Sequence, residues 1–128
     1  MILGDIMDCI FCKIINGDIP SYTIYEDDFV KCFLDINPDS NGHTLIIPKK
    51  HYVCLDDIDN YTLINIMKIA RNLKKELEEK LNIDGLTLIQ NNGDVQEVKH
   101  YHLHLKPYYN DSKEKLSVED VYNMLKRD

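Results

Sequence analysis

Two periods of apolar residues run along this 128-residue chain, and the changes between them mark its elements. From residue 60 onward Leu63, Ile66, Met67, Ala70, Leu73, Leu77 and Leu81 recur at threes and fours. That spacing predicts a long amphipathic helix ending near Leu81, with residues 57–59 offering an N-cap. Lys68, Arg71, Lys75, Glu78 and Glu79 form its outer side. Elsewhere the period is shorter. Residues 22–25, 29–34, 43–47, 86–90 and 98–107 read as five strands, separated by turn residues such as Asp27-Asp28, Asn41-Gly42 and Asp84-Gly85. A short helix is expected over residues 9–16, stopped by Asn16-Gly17, and a last one over residues 117–126, where Ser117 and Asp120 form a capping pair. Hairpins joining most strands, with one dominant helix, imply an α+β domain. Its architecture is a five-stranded antiparallel sheet with the long helix packed on one side, plus short N- and C-terminal helices. With no repeat and no linker composition, residues 1–128 are expected to form one domain.

The fifth strand carries the distinctive chemistry. His100, His102 and His104 occupy every second position there. On a strand, alternate side chains share a face, so the three imidazoles are expected together, with Tyr101, Leu103 and Leu105 turned to the core. One zinc shared by all three is disfavoured, because i and i+4 residues lie ~13 Å apart at a rise of about 3.3 Å per residue. Separate roles fit better: the middle histidine attacks phosphorus while its neighbours hold phosphate oxygens or a separate metal. A neutral imidazole, of pKa about 6.5, is a competent nucleophile for that step.

Charge and cysteine usage narrow the setting. A net charge of −7 argues against nucleic acid as a partner, while leaving room for a small phosphorylated ligand. Lys49, Lys50, Lys99 and Lys106 lie near the histidines in sequence and are expected to be solvated. No apolar run approaches the ~20 residues that span a bilayer, so no membrane partner is expected. The acidic residues 1–8 lack the basic start of a signal peptide, and a cytoplasmic location is expected. Cys32 and Cys54 are read as small core residues. Cys9 and Cys12 form a Cys-x-x-Cys, which by itself leaves a metal site, a redox pair and coincidence all open.

Taken in order, Cys9-Ile10-Phe11-Cys12, Phe33-Leu34-Asp35-Ile36-Asn37-Pro38, Gly42-His43-Thr44-Leu45-Ile46-Ile47-Pro48-Lys49-Lys50-His51 and Gln96-Glu97-Val98 lead into His100-Tyr101-His102-Leu103-His104. This series resembles the histidine triad family over nearly the whole chain. The resemblance implies a hydrolase or transferase acting at the α-phosphorus of purine nucleoside monophosphate derivatives, through a nucleotidyl-histidine on His102. It implies that His104 and His43 contact the phosphate and assist the leaving group, and that Asp35 holds the ribose hydroxyls. Phe11, Phe33 and Ile36 would wall the base pocket, with a plain core role as the alternative for Phe11 and Phe33; Asn91 would sit beside the phosphate, and Gln96 would add a further contact through its side chain or backbone. It also implies a structural zinc on Cys9, Cys12, His51 and His100, and a homodimer. Val95 stands where many relatives carry Gly, and Glu97 where some carry Ser, so donors around the phosphate are expected to differ. Two other readings remain: a nucleotide-binding regulatory module, and a redox or metal-handling protein using Cys9 and Cys12.

Overall fold

The computed structural model describes residues 8–126, so residues 1–7, on which most of the signal-peptide argument rests, lie outside the described residues. The chain runs α1 (Ile10–Ile15), β1 (Thr23–Glu26), β2 (Val30–Leu34), β3 (Thr44–Pro48), α2 (Asn60–Leu81), β4 (Gly85–Ile89), a 3-10 turn (Gly93–Val95), β5 (Leu103–Tyr108) and α3 (Val118–Leu125). Five strands form one antiparallel sheet in the order β1-β2-β3-β5-β4. The expected α+β architecture is present, with the long helix and two short ones.

Helix α2 begins where its cap says it should: the Asp59 carboxylate accepts the Thr62 N–H at 2.7 Å. It stops at Asn82, whose left-handed φ of 54° ends the ladder. Its inner stripe is Ile66, Ile69, Ala70, Leu73, Leu77 and Leu81, packed with Val30, Cys32, Leu34, Ile46, Leu103 and Leu105 from the sheet. Burying each large aliphatic side chain is worth roughly 1.5–3 kcal/mol, so this layer carries much of the stability. Met67, expected in the stripe, is 47% exposed, and Ile69 takes its place. The 3.6-residue period drifts slowly around the helix, and a rule of threes and fours admits either residue.

A second, smaller core lies apart from the first. Phe11, Cys12 and Ile14 of α1 pack on Phe33, Leu45 and Ile47, which alternate with the α2-facing residues of β2 and β3. The sheet is therefore covered on both faces, where cover on one was expected. The short α1 hid this role, since six residues carry too few positions to show a period. Cys54, expected in the core, is half-buried in the loop after β3, where its N–H donates to Asp57 Oδ1.

The histidine strand is shorter than expected. Pairing with β3 ends at Ile46↔Leu103, so His100 and His102 precede β5. Pro48 supplies the reason. It has no N–H to extend the ladder, and its carbonyl accepts from His100 Nε2 at 2.8 Å. The segment is nevertheless tied down, because the Tyr101 N–H donates to Tyr52 O at 2.7 Å. Alternation survives: Tyr101, Leu103 and Leu105 all join the main core. Among the described residues, no helix is long and apolar enough to cross a membrane.

Candidate active site and metal centre

His102 and His104 line a cavity of about 450 Å³ together with His43, Asp35, Phe11 and Ile36. Three segments meet there: α1, the β2–β3 loop and the approach to β5. Asp35 closes β2 and is tied across the loop by its N–H to the His43 carbonyl at 3.0 Å. One of its oxygens caps the Asn37 N–H at 2.9 Å, while the other lies 3.6 Å from His43 Nε2. Phe11 meets the His102 ring edge-on, with centroids 5.0 Å apart.

Hydrogen-bond partners fix the tautomers of the three rings. A carbonyl only accepts, so His102 Nδ1, 2.8 Å from His100 O, carries the hydrogen and leaves the Nε2 lone pair free. His43 Nδ1 accepts the Asp39 N–H at 3.1 Å, which places the hydrogen on Nε2. That Nε2–H donates to His104 Nδ1 at 2.9 Å, so in neutral His104 the hydrogen sits on Nε2. The cleft thus presents one basic nitrogen, His102 Nε2, beside one available N–H donor, His104 Nε2, which His43 holds in place. Burial lowers the pKa of His102 and of His43. Burial also takes His104 down to about 4, reinforced by charge on His102, His43 and Lys106.

Directly behind this cavity lies a second cluster. One ligand atom from each of Cys9, Cys12, His51 and His100 falls within 4.8 Å of all the others. Cys12 Sγ is 3.2 Å from His51 Nδ1 and 3.6 Å from His100 Nδ1; the two Nδ1 atoms are 3.1 Å apart, and Cys9 Sγ is 3.5 Å from His100 Nδ1. A tetrahedral zinc with bonds of about 2.0 to 2.3 Å has ligand–ligand edges of roughly 3.3 to 3.8 Å, close to this set. Since His100 Nε2 donates to Pro48 O, its Nδ1 lone pair is free for a metal, the carbonyl-oriented arrangement usual for ligating histidines. Without a cation, burial and the neighbouring Cys9 push the Cys12 thiol up to about 12, and burial takes His100 down to about 4. A divalent ion reverses the thiol's preference by stabilising the thiolate. The residues fit zinc.

The residues singled out from sequence divide unequally. His102, His104, His43, Asp35, Phe11, Ile36 and Asn91 line the cavity, and Cys9, Cys12, His51 and His100 converge on the second site. Phe33 does not line the cavity; it is buried behind Phe11, centroids 5.7 Å apart. Gln96 is also turned away: 2% exposed, it donates through Nε2 to Val53 O at 2.6 Å. Its side chain braces a loop, which leaves only its backbone for the expected ligand contact. Val95 and Glu97, on either side, line the cavity instead. Sequence reasoning passed over Asp39 and expected Lys106 to be solvated, whereas the two line the same cavity and pair at 2.7 Å. The signal existed, because Lys106 follows His104 by two positions and alternation places it on the histidine face.

An α+β sheet with a histidine-lined cleft backed by a Cys2His2 cluster defines the class. Residues 16–111 match the HIT domain family, and the chain belongs to that family. It is 47% identical over 120 residues to an uncharacterised HIT-like protein of Methanocaldococcus jannaschii, covering 91% of each. It is 46% identical over 101 residues to an adenosine 5'-monophosphoramidase of Saccharomyces cerevisiae, covering 77% of this chain and 61% of that one. Among solved structures, a zinc-bound histidine triad family protein of Mycobacterium smegmatis superposes with a TM-score of 0.86 at 35% identity, covering 94% of this chain and 91% of that one.

Proposed function

We propose that this protein is a nucleotide hydrolase acting at the α-phosphorus of purine nucleoside monophosphate derivatives, either phosphoramidates or dinucleoside polyphosphates. The observation that carries the reading is the tautomer of His102, whose Nδ1 is committed to His100 O while Nε2 keeps its lone pair beside the cavity. In the first step that pair forms an N–P bond, and the bond from phosphorus to the leaving group breaks with its electrons going to the leaving atom. In the second step a water oxygen attacks phosphorus, the N–P pair returns to Nε2, and the water's proton passes to solvent or to the departed group. His104 offers its Nε2–H to the phosphoryl oxygens and the leaving atom, and His43 supports it by donating to His104 Nδ1. Asp35 takes the ribose hydroxyls, Phe11 and Ile36 flank the base, and Asn91 sits beside the phosphate. The phosphoramidase named among the relatives supports this class of reaction.

Cys9, Cys12, His51 and His100 would hold a zinc ion in a structural role, with all four ligands supplied by the chain, and would so tie down the segment before β5 that carries His102. The zinc-bound relative supports it. The molecule is read as a homodimer on family resemblance. The reading is tested by assaying adenosine phosphoramidates against dinucleoside polyphosphates with the wild type and with His102→Ala. Turnover should fall about 10⁴-fold or more in the variant while nucleotide affinity stays within a few-fold. A nucleotide covalently attached to wild-type His102 during turnover separates the enzyme from a regulatory nucleotide-binding module. Full activity in His102→Ala ends the proposal.

A further inference from the structure

Next to the histidine cavity lies a second one of about 460 Å³, and the two share Asp39 and Lys106 in their walls. Lys106 stands two residues beyond His104 on β5 and opposite Thr87 of β4, and both line the second cavity. Lys113 and Lys115 line it too, so three ammonium groups, one of them paired with Asp39, meet only Asp39 and Asp111 there, within a chain of net charge −7. The wall is already built. Ser40 Oγ donates to Pro107 O at 2.6 Å, Asn41 bonds Glu114 O and the Leu116 N–H, and Tyr109 donates to Asn41 O at 2.7 Å. A cavity that is locally cationic, preformed and adjoins the cleft across the Asp39–Lys106 pair is placed for the part of a substrate beyond the α-phosphorus.

We propose that the second cavity is the leaving-group subsite, that Lys106 is the specificity-determining residue at its entrance, and that it selects oxyanion leaving groups (phosphate, polyphosphate or sulfate). The proposal rests on the nucleotide reading above and names the substrate class within it. As the bond between phosphorus and the leaving oxygen breaks, the electron pair stays on that oxygen and its negative charge grows. An ammonium point charge beside it stabilises the departing group without transferring a proton. Lys106 is available for this, because its present partner Asp39 has a side chain 63% exposed. Such a solvated ion pair is worth only about 0 to 1 kcal/mol, so a ligand oxyanion exchanges with it readily.

The test measures kcat/KM for adenosine 5'-phosphosulfate and diadenosine triphosphate, each as a ratio to that for adenosine 5'-phosphoramidate. Lys106→Met should lower both ratios about 10-fold or more, which corresponds to some 1.4 kcal/mol. Lys106→Arg should recover most of the loss. The double variant Lys113→Ala/Lys115→Ala should lower the ratios by a smaller factor. Whichever of sulfate and polyphosphate suffers more identifies the preferred group. Equal losses on charged and neutral leaving groups would overturn the proposal, since Lys106 would then act only on the histidines. A second arm compares ADP with AMP binding in a His102→Ala background, where ADP should bind several-fold tighter and lose that advantage in Lys106→Met. A wild type that turns over phosphoramidate while its His102→Ala form shows no ADP preference overturns this inference alone. A wild type that shows neither turnover nor nucleotide binding overturns the functional reading as well.

Discussion

The His102 ring donates through Nδ1 to the backbone carbonyl of His100, 2.8 Å away, while the His100 ring turns to Cys9, Cys12 and His51. One residue therefore belongs to both sites: its side chain to the cluster, its carbonyl to the orientation of the candidate nucleophile. If zinc is bound there, removing it would free four ligands, three of them buried and His51 half-buried, whose mutual packing sets that carbonyl. Chelation, or Cys12→Ser, should release about one zinc per chain, lower the Tm by on the order of 10 °C and reduce kcat more than it raises KM. Metal analysis, calorimetry and steady-state kinetics check this together. A fully active metal-free protein with its ligands intact would show that the cluster does not position His102.

His43 is the relay between loop and strand. It accepts from the Asp39 N–H and passes a donor to His104 Nδ1 at 2.9 Å, which orients that second ring. His43→Phe removes the donor and leaves His104 free to adopt the other tautomer. The expected loss in kcat is about 10²-fold or more, the usual scale for a misplaced acid–base partner, with a smaller change in KM. His43→Asn, which keeps an amide N–H near the same place, should recover part of it.

Much of this arrangement was legible in the sequence, for reasons that also explain what was not. Alternation along the chain separated His102 and His104 from Tyr101, Leu103 and Leu105 without any structure, because a two-residue period survives even where the ladder stops. The stop itself was hidden. It depends on Pro48, a residue of the neighbouring strand, and on where the His100 ring finds an acceptor. Gln96 and Phe33 misled for a related reason: polarity and aromaticity show what a side chain can do, whereas packing decides which way it turns. Asp39 was passed over and Lys106 expected in solvent because a charged residue near a turn or strand end is usually solvated, and only the folded loop brings this pair to the cleft.

Gly42 makes a prediction about stability that is independent of chemistry. Its φ is +91°, and a Cβ there would stand 2.7 Å from Leu81 Cδ1 and 3.2 Å from Leu77 Cδ2. The leucine ends can give way, but the left-handed backbone cannot accept a side chain without strain of about 1–2 kcal/mol. Gly42→Ala should lower stability by roughly 1–3 kcal/mol, seen as a Tm drop of about 5–10 °C. His43 is the next residue, so kcat should fall as well, measurable below the new melting range.

Acid should weaken the fold through His104 before carboxylates are protonated. Burial and the surrounding cations hold this ring near pKa 4, against an ordinary value of 6.5. Between these values the unfolded chain binds the proton that the folded chain refuses, so unfolding takes up protons and stability falls as pH falls. The contribution is complete above about pH 6.5, declines through the window by at most ~1.4 kcal/mol per pH unit for one proton, and levels off below about 4. The ring is partly accessible, so solvent screening reduces that slope. Urea denaturation of the zinc-loaded protein at pH 7.5, 6 and 5 measures it. His104→Asn should flatten the difference between pH 7.5 and pH 5 relative to wild type. Identical pH dependence in the two proteins would mean that His104 is protonated as readily in the fold as outside it, which the ring's burial between His43 and His102 argues against.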